Sequence, residues 1–245
     1  MIDSNALKNK NVVVTGGATG IGFAIAKRFS QLGARVAIGS RRQTAIAEAI
    51  QASDSGITGH ELDVADRASV ERFFKWIAES IGQVDILVNG AGVNIRDRSI
   101  HSMAPEQWDQ VMAINATGAY NCIHSVLPQM RIRKQGLIIN ISSVAGKRAL
   151  ALGGVAYAAS KFAMTALGTC VSNEVGAENI RVTNVYPGEV DTPILSQRPT
   201  PISEEHRQTI LQPEDIADVV VGLASLPDRV HVPEIVIKPV SQQYY

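Results

Sequence analysis

Cysteines and aromatic residues are few in this sequence, and neither sign of charge is in excess. Lys and Arg number 23 and Asp and Glu number 23, so the formal net charge is zero. No basic tract indicates a nucleic-acid or anionic-membrane partner, and we expect a small-molecule partner instead. The two cysteines, Cys122 and Cys170, lie in apolar helical patterns, which predicts buried free thiols rather than a disulfide framework.

Long apolar runs and paired histidines are also missing. No run approaches the length of a membrane span, and the N-terminal residues lack the apolar region of a signal peptide, so we expect a soluble cytoplasmic protein. None of the 5 histidines has a partner at H-x-x-x-H spacing, which predicts no catalytic metal. Ser143 lies outside a G-x-S-x-G nucleophile elbow, which argues against a hydrolase.

Short β-rich runs alternate with helical patterns along the whole chain. The predicted strands cover residues 11–15, 34–39, 59–63, 84–89, 136–142, 180–186 and 234–238. The predicted helices cover residues 21–32, 43–52, 69–81, 105–133, 155–176 and 213–224. This alternation predicts one α/β domain over residues 1–245, a doubly wound Rossmann fold with a mostly parallel sheet of seven strands and helices on both faces.

A polar segment over residues 193–212 interrupts this pattern after the sixth strand. Ligands bind at the carboxyl ends of strands in open α/β sheets, so we predict a substrate loop or lid with a short helix. A plain solvated connection is the alternative. Glu189 and Asp191, just before the segment, are either substrate contacts or, as we favour, solvated loop acids.

A glycine-rich turn joins the first strand to the first helix. Glycines at such a turn let the backbone approach a pyrophosphate, and the helix N-terminus offers free N–H groups to it. The G-x-x-x-G-x-G spacing has no Gly-Lys-Ser/Thr and is not a Walker loop. We therefore predict a dinucleotide-binding turn rather than a ligand-free one, formed by Gly16, Ala18, Thr19, Gly20, Ile21 and Gly22.

The end of the second strand carries no acidic residue. An Asp or Glu there would hold an unphosphorylated ribose, but the sequence reads Ser40-Arg41-Arg42. Cations in a first helical turn oppose the helix dipole, and a 2′-phosphate would compensate them with bidentate geometry. The arginines are either solvated or, as we favour, part of a site that prefers NADP(H) to NAD(H).

Tyr157 and Lys161 are spaced by about one helical turn and would share a helix face. Tyrosine is a weak acid with a pKa of about 10, and a neighbouring ammonium would lower that pKa by favouring the phenolate. A packing tyrosine beside a solvated lysine is the alternative for this pair taken alone.

Several motifs together, in this order, resemble the short-chain dehydrogenase/reductase family over about residues 10–240. The motifs are Thr15-Gly16-x-x-x-Gly20-Ile21-Gly22, Asp63-Val64, Asn89-Gly90-Ala91-Gly92, Asn115, Asn140-Ile141-Ser142-Ser143, Tyr157-x-x-x-Lys161 and Pro187-Gly188. The resemblance implies an oxidoreductase that moves hydride between a nicotinamide and a carbonyl or alcohol. It also implies a homotetramer or homodimer assembled through the long helices.

The resemblance implies catalytic roles for four residues. Tyr157 would be the general acid or base, and Lys161 would hold the nicotinamide ribose and lower the tyrosine pKa. Ser143 would hydrogen-bond the substrate oxygen, and Asn115 would hold a water that links Lys161 to solvent. We choose Ser143 over Ser142 because adjacent strand residues face opposite ways and the Ser143 interval to the tyrosine fits the family better.

Other positions follow from the same resemblance. Asp63 would bind the adenine amino group, with a helix cap as its alternative role, and Asn89 would brace the sheet. The remaining implied cofactor contacts are Val64, Gly90, Ala91, Gly92, Pro187, Gly188, Val190 and Thr192. The family more often has asparagine where Gly90 stands.

Substrate identity should depend on the loops at residues 93–99 and 147–153 and on the segment after Thr192. Leu150, Leu152 and Ile194 would form an apolar wall, and Arg96, Arg98 and Arg148 would meet an acidic substrate or face water.

The alternative functions are a catalytically silent NADP(H)-binding sensor or scaffold, a 3-oxoacyl-acyl-carrier-protein reductase, and an extended-branch epimerase or dehydratase. The four complete catalytic positions argue against the sensor. The C-terminal sequence, which differs from that of many acyl-carrier-protein reductases, weakens the second alternative, and the chain length weakens the third.

Overall fold

The computed structural model describes residues 6–53 and 56–243. Seven strands in these ranges form one parallel sheet. The strand order is β3-β2-β1-β4-β5-β6-β7, with every pair parallel. The strands are β1 Asn11–Thr15, β2 Arg35–Ser40, β3 Ile57–Glu61, β4 Ile86–Asn89, β5 Gly136–Ile141, β6 Ile180–Pro187 and β7 Glu234–Ile237.

Helices cover both faces of this sheet. They are α1 Gly20–Gln31, α2 Gln43–Ala52, α3 Arg67–Ser80, α4 Pro105–Met112, α5 Gly118–Arg133, α6 Val155–Val175, α7 Glu204–Arg207 and α8 Pro213–Ala224. Helices α1, α2 and α8 share one apolar core, whereas α3, α5 and α6 share the other. The predicted doubly wound α/β fold is confirmed.

Alternating side chains on the strands supply both cores. Val12 and Val14 of β1 pack into the α1 layer, and Val13 between them packs into the α3 layer. Successive strand residues point to opposite faces, so a fully buried parallel strand must be apolar throughout. The strand order reverses between β1 and β4, and a crevice opens there beyond the carboxyl ends of the strands.

Most predicted elements agree with the structure to within two residues at each end, and the larger differences concern the third strand and the long helix. The third strand covers Ile57–Glu61 instead of residues 59–63, because its register with β2 pairs Val36 with Ile57. The single helix predicted over residues 105–133 is interrupted by a π-helical turn at Ala113–Thr117. Such turns insert one wider hydrogen-bonded ring into an α-helix and leave no composition signal in the sequence.

Three asparagines form a buried hydrogen-bonded ladder across the centre of the sheet. Asn89 Nδ2 donates to Asn140 Oδ1 at 2.9 Å, and Asn140 Nδ2 donates to Asn184 Oδ1 at 3.0 Å. Asn184 Nδ2 then donates to the Thr165 carbonyl of α6 at 3.3 Å. A Cβ at Gly168 would lie 2.2 Å from Asn184 Oδ1, so this helix packs directly onto the ladder.

The prediction for the cysteines is half wrong. Both thiols are free and Cys122 is buried, but Cys170 is exposed. Cys170 lies on the outer side of α6, where a largely apolar sequence leaves several side chains uncovered.

Ion pairs fasten the segment at residues 193–212 to the end of β6. Arg198 and His206 both contact the carboxylate of Glu189, and Arg207 pairs with Asp191. The segment contains a 3₁₀ turn at Pro193–Gln197 and the short helix α7. Glu189 and Asp191 are therefore paired anchors, and our expectation of solvated loop acids is wrong because the segment folds back over them.

Candidate active site

The glycine-rich turn after β1 brings three backbone segments unusually close together. A Cβ at Gly16, where φ is +66°, would lie 2.8 Å from the Ala91 backbone. A Cβ at Gly22 would lie 2.4 Å from the Gly16 carbonyl oxygen, and one at Gly90 would lie 2.8 Å from the Thr15 carbonyl oxygen. Real Cβ atoms do not approach so closely, so a side chain at any of these positions would force the backbone to shift.

The N-terminus of α1 points its first N–H groups at the crevice. Thr19 is the N-cap residue in an extended conformation, and its side chain does not cap the helix. Uncapped first-turn N–H groups, together with the helix dipole, form an anion site. The glycine cradle and this helix end therefore fit the pyrophosphate of a dinucleotide.

A cleft of about 730 Å³ runs along the carboxyl ends of β1, β2 and β4. Sixteen predicted site residues line it: Gly16, Thr19, Gly20, Ile21, Gly22, Ser40, Arg41, Arg42, Asp63, Val64, Gly90, Ala91, Gly92, Tyr157, Lys161 and Thr192. Ala18 and Asn89 are buried instead and do not belong to its described lining, because Ala18 packs in the core and Asn89 belongs to the ladder.

Arg41 and Arg42 lie at the β2 end of this cleft with exposed side chains. Arg42 is the N-cap residue of α2, whose first turn contains no acidic residue. In the described part of the chain neither guanidinium forms an ion pair. Two free cations beside a helix N-terminus fit a phosphate group at this position.

Asp63 lines the same cleft and is not a helix cap. Asp66 caps α3, with its side chain accepting from the Ala68 N–H. The Asp63 carboxylate accepts from the Ala65 N–H at 3.0 Å, which holds the turn after β3.

Tyr157 and Lys161 lie one turn apart on α6, and both line the cleft. Lys161 Nζ is 5.7 Å from the centre of the Tyr157 ring and donates to the Ile141 carbonyl at 2.8 Å. Only 4% of Lys161 is exposed, and burial lowers its pKa to about 8. The alternative of a solvated lysine beside a packing tyrosine does not describe this pair.

The direction of the Tyr157 pKa differs from the expectation. Burial raises this pKa, and it outweighs a hydrogen bond from Ser143 and the positive charge of Arg98, which both lower it. At 5.7 Å from the ring, the Lys161 ammonium does not overcome the burial cost within the protein alone. The protein's own groups therefore keep the phenol protonated.

The two adjacent serines, Ser142 and Ser143, interact with different groups, and Ser143 is the one that interacts with the Tyr157 phenol. Ser143 is close enough to the phenol to lower its pKa, whereas the Ser142 hydroxyl contacts the Lys161 carbonyl at 3.2 Å and Thr165 Oγ1 at 3.3 Å. The strand ends at Ile141, and Ser143 is the N-cap residue of a 3₁₀ turn at Val144–Gly146. The two serines thus lie just beyond the strand rather than on it, but their side chains still diverge.

Asn115 lies in the π-helical turn, and its side chain is buried. Its amide group pairs with both backbone groups of Val93, at 2.8 Å to the N–H and 3.0 Å to the carbonyl, and donates to Ser160 Oγ at 2.9 Å. The Ser160 hydroxyl donates in turn to the Tyr157 carbonyl at 2.8 Å. Sequence reasoning missed Ser160, although a polar residue between Tyr157 and Lys161 on an apolar helix signals a role.

A second cavity, of about 150 Å³, adjoins the cleft at Tyr157. The predicted residues Ser143, Pro187, Gly188, Val190 and Thr192 line it, as does the predicted apolar wall of Leu150, Leu152 and Ile194. Arg98 and Arg198 line it as well. Arg198 was not predicted, because only the folded position of the 193–212 segment brings it to this cavity.

Neither a metal centre nor a membrane span is found in the described parts of the chain. Within residues 6–53 and 56–243, His, Cys, Asp and Glu form no group of three or more that could hold a metal ion. In the same ranges, every helix is too short or too polar to cross a bilayer.

A dinucleotide-type cleft at the switch point of a doubly wound sheet, with a tyrosine and a buried lysine at its edge, defines a class of oxidoreductases. The model of the short chain dehydrogenase family matches residues 10–202 of this chain. The chain belongs to that family and is an oxidoreductase acting on CH–OH or C=O groups.

Relatives of known activity share most of the chain. It is 34% identical to 3alpha-hydroxysteroid dehydrogenase of Mediterraneibacter gnavus, over 89% of this chain and 91% of that protein. It is 33% identical to a 3-oxoacyl-acyl-carrier-protein reductase of Thermotoga maritima, over 89% of this chain and 92% of that protein. The closed form of a serine dehydrogenase complexed with NADP⁺ superimposes with a TM-score of 0.87 at 30% identity, covering 96% of each chain.

Proposed function

We propose that this protein is an NADP(H)-dependent carbonyl reductase or alcohol dehydrogenase in which Tyr157 exchanges the proton. The observation that carries the proposal is the position of Tyr157, which lines both the dinucleotide-type cleft and the smaller cavity. A group at this junction can reach a substrate in one space and a nicotinamide in the other. The smaller cavity is therefore the substrate cavity.

The proton chemistry follows from the groups around Tyr157. A nicotinamide cofactor supplies or accepts the hydride when bound. During carbonyl reduction, Tyr157 gives its proton to the substrate oxygen, and the Ser143 hydroxyl donates a hydrogen bond to the same oxygen as negative charge develops. Alcohol oxidation runs these transfers in reverse. A phenol that burial keeps protonated is ready to act as the acid.

Lys161 and Asn115 would support this step from behind the tyrosine. The Lys161 ammonium faces the cleft and would hold the nicotinamide ribose hydroxyls. A Cβ at Gly92 would lie 3.4 Å from Lys161 Nζ and 3.6 Å from Asn115 Oδ1, so both groups are beside the same small space. We propose that a water there links the lysine to solvent as the proton relay.

The preference for NADP(H) over NAD(H) is supported by Ser40, Arg41 and Arg42 at the ribose end of the cleft. The serine dehydrogenase structure with NADP⁺ supports it as well. Asp63 and the Val64 backbone would hold the adenine, while Pro187, Gly188, Val190 and Thr192 would flank the nicotinamide.

Reduction of a 3-oxoacyl group on acyl-carrier protein is the second candidate, favoured by the Thermotoga maritima relative. The cavity of about 150 Å³ favours a compact substrate instead. The relatives' names point to different substrates, so likeness alone selects none of them.

We further propose that residues 1–245 form one cytoplasmic domain in which residues 193–212 act as the lid over the substrate cavity.

Replacing Tyr157 with phenylalanine tests the mechanism. The variant keeps the ring and loses the exchangeable proton, so we expect kcat to fall about 10²- to 10⁴-fold while NADPH still binds. NADPH oxidation against a panel of ketones, aldehydes, quinones and 3-oxo esters gives the activity, and fluorescence titration gives the binding. Tyr120→Phe, which removes the hydroxyl of an exposed tyrosine on α5, is the matched control. Equal turnover by the Tyr157→Phe variant and wild type would refute the mechanism.

A further inference from the structure

The substrate cavity contains two guanidinium groups but only one carboxylate. Arg98 and Arg198 line it, and Glu189 is the single acidic residue in its described lining. Arg198 Nη2 lies 2.8 Å from Glu189 Oε1, and both side chains are largely buried, so these two charges compensate each other. His206 Nε2 contacts the other oxygen of Glu189 at 2.6 Å, so each oxygen of this carboxylate already has a partner other than Arg98.

Arg98 is bonded only to neutral carbonyl oxygens. Its Nε donates to Ile95 at 2.7 Å, its Nη1 to Leu152 at 2.6 Å and its Nη2 to Gln197 at 2.9 Å. Over residues 6–53 and 56–243 no carboxylate lies within ion-pair distance of it. A guanidinium has five N–H groups, so one N–H remains on Nη1 and one on Nη2 after these three bonds.

The charge of Arg98 is uncompensated in a partly buried place. Burial and the nearby charge of Arg198 both lower its pKa, which is the response of a cation that lacks a counter-ion. Tyr157 lines the same cavity and is close enough to Arg98 for each group to influence the pKa of the other. The uncompensated cation therefore lies beside the position where the substrate carbonyl must sit, rather than at a remote surface.

We propose that the substrate is a short oxo acid, or the matching hydroxy acid, whose carboxylate binds the two remaining N–H groups of Arg98. The inference rests on the proposed function and adds the substrate class to it. The carboxylate would supply the missing negative charge, and the apolar wall of Leu150, Leu152 and Ile194 would contact the short carbon chain. Of the three loop arginines considered from the sequence, only Arg98 lines this cavity among the described residues, because Arg96 faces the cleft and Arg148 is exposed elsewhere.

Matched acids and amides test the inference. The probes are pyruvate and pyruvamide, acetoacetate and acetoacetamide, and succinic semialdehyde and its amide, each assayed by NADPH oxidation. A charge-assisted pair contributes more than a neutral hydrogen bond, so we expect kcat/KM of the wild type to favour the acid about 10- to 100-fold in at least one pair.

Variants at Arg98 separate substrate binding from loop support. Arg98→Gln should remove most of the preference for the acid, so that the ratio of acid to amide approaches one, while kcat/KM for the amide changes far less. Arg98→Lys keeps the charge without the planar fork and should retain part of the preference. Arg148→Gln removes the same charge from a loop residue outside the cavity and should leave the ratio unchanged.

The outcomes distinguish a failure of the carboxylate assignment from a failure of the proposed function. A wild type that prefers the amides, or an Arg98→Gln variant that loses acid and amide activity equally, would overturn the carboxylate assignment, and the first result needs no variant to fold. Turnover of neutral ketones without turnover of any of the three acids would overturn it as well. If no carbonyl compound at all oxidises NADPH, the proposed function fails, and the substrate class fails with it.

Discussion

Lys161 is a lysine that the fold buries almost completely, with its ammonium resting on the Ile141 carbonyl. Its folded pKa of about 8 lies below the ordinary value of 10.5, because burial disfavours the charged form. Between these two pH values the unfolded chain binds a proton that the folded chain has released. Stability therefore rises with pH in this window as far as Lys161 is concerned, and the cost of burying the charge is fully present below about pH 8.

Lys161→Met should expose this cost in equilibrium unfolding. We expect the variant to be more stable than the wild type below pH 8 and inactive, and its advantage to shrink by up to about 1.4 kcal/mol per pH unit as the pH rises from 8 to 10.5. Urea unfolding at several pH values measures the difference. Stability curves of the two proteins that stay parallel across this window would contradict the buried-charge interpretation.

The four-residue spacing in the sequence predicted that Tyr157 and Lys161 form a pair, but it did not predict the direction of the Tyr157 pKa. Residues spaced by four on a helix lie on the same face, so the spacing alone brings the two side chains together. The depth of burial, the Ser143 hydrogen bond and the approach of Arg98 depend on loops that come from other parts of the chain. The expected direction of the tyrosine pKa was wrong for that reason.

Two helix N-termini, those of α1 and α2, form the parts of the cleft that fit phosphate groups. The sequence predicted both, because a glycine turn and a pair of arginines are local signals that need no tertiary information. The π-helical turn that carries Asn115 was not predictable in this way. It occurs within a continuous helical pattern, and only the packing of Asn115 against Val93 shows why the helix deviates there.

The α2 terminus should decide the choice between cofactors. In an Arg41→Gln/Arg42→Gln variant we expect KM for NADPH to rise about 10- to 100-fold, because charge-assisted bonds to a phosphate are lost, and KM for NADH to change little. Arg35→Gln, at the opposite end of β2, is the matched control. Steady-state kinetics with both cofactors measures the change. A wild type that prefers NADH, or an equal loss with both cofactors, would refute the preference.

At the scale of the whole molecule, the sheet and its two helical layers followed from the sequence because each βαβ unit is locally encoded and its handedness is fixed. The convergence of Arg98, Arg198 and Glu189 did not follow. These residues lie on three segments, and no local pattern in the sequence shows how the 193–212 segment folds back onto Glu189 and Asp191.

Exposed apolar side chains on α5 and α6 predict self-association. Phe162 and Val155 are 42% and 41% exposed and lie two turns apart on one face of α6. We expect light scattering to give a multiple of 26.2 kDa, and Phe162→Glu to shift the mass toward that value. Ile50→Glu, at a similarly exposed position on α2, should not change the mass. A wild-type mass of 26.2 kDa would exclude the homotetramer and the homodimer.

The asparagine ladder gives the sheet a direction across its strands. Each of the three asparagine side chains donates to the next group in the direction of α6, ending at the Thr165 carbonyl. At the other end of this ladder, Asn89 Oδ1 has no hydrogen-bond partner in the described structure. A single leucine at one of these positions would leave a neighbouring buried amide group unpaired, which costs about 1–3 kcal/mol. The helix that bears Tyr157 is therefore fixed to the sheet by residues outside the described lining of the cleft and of the substrate cavity.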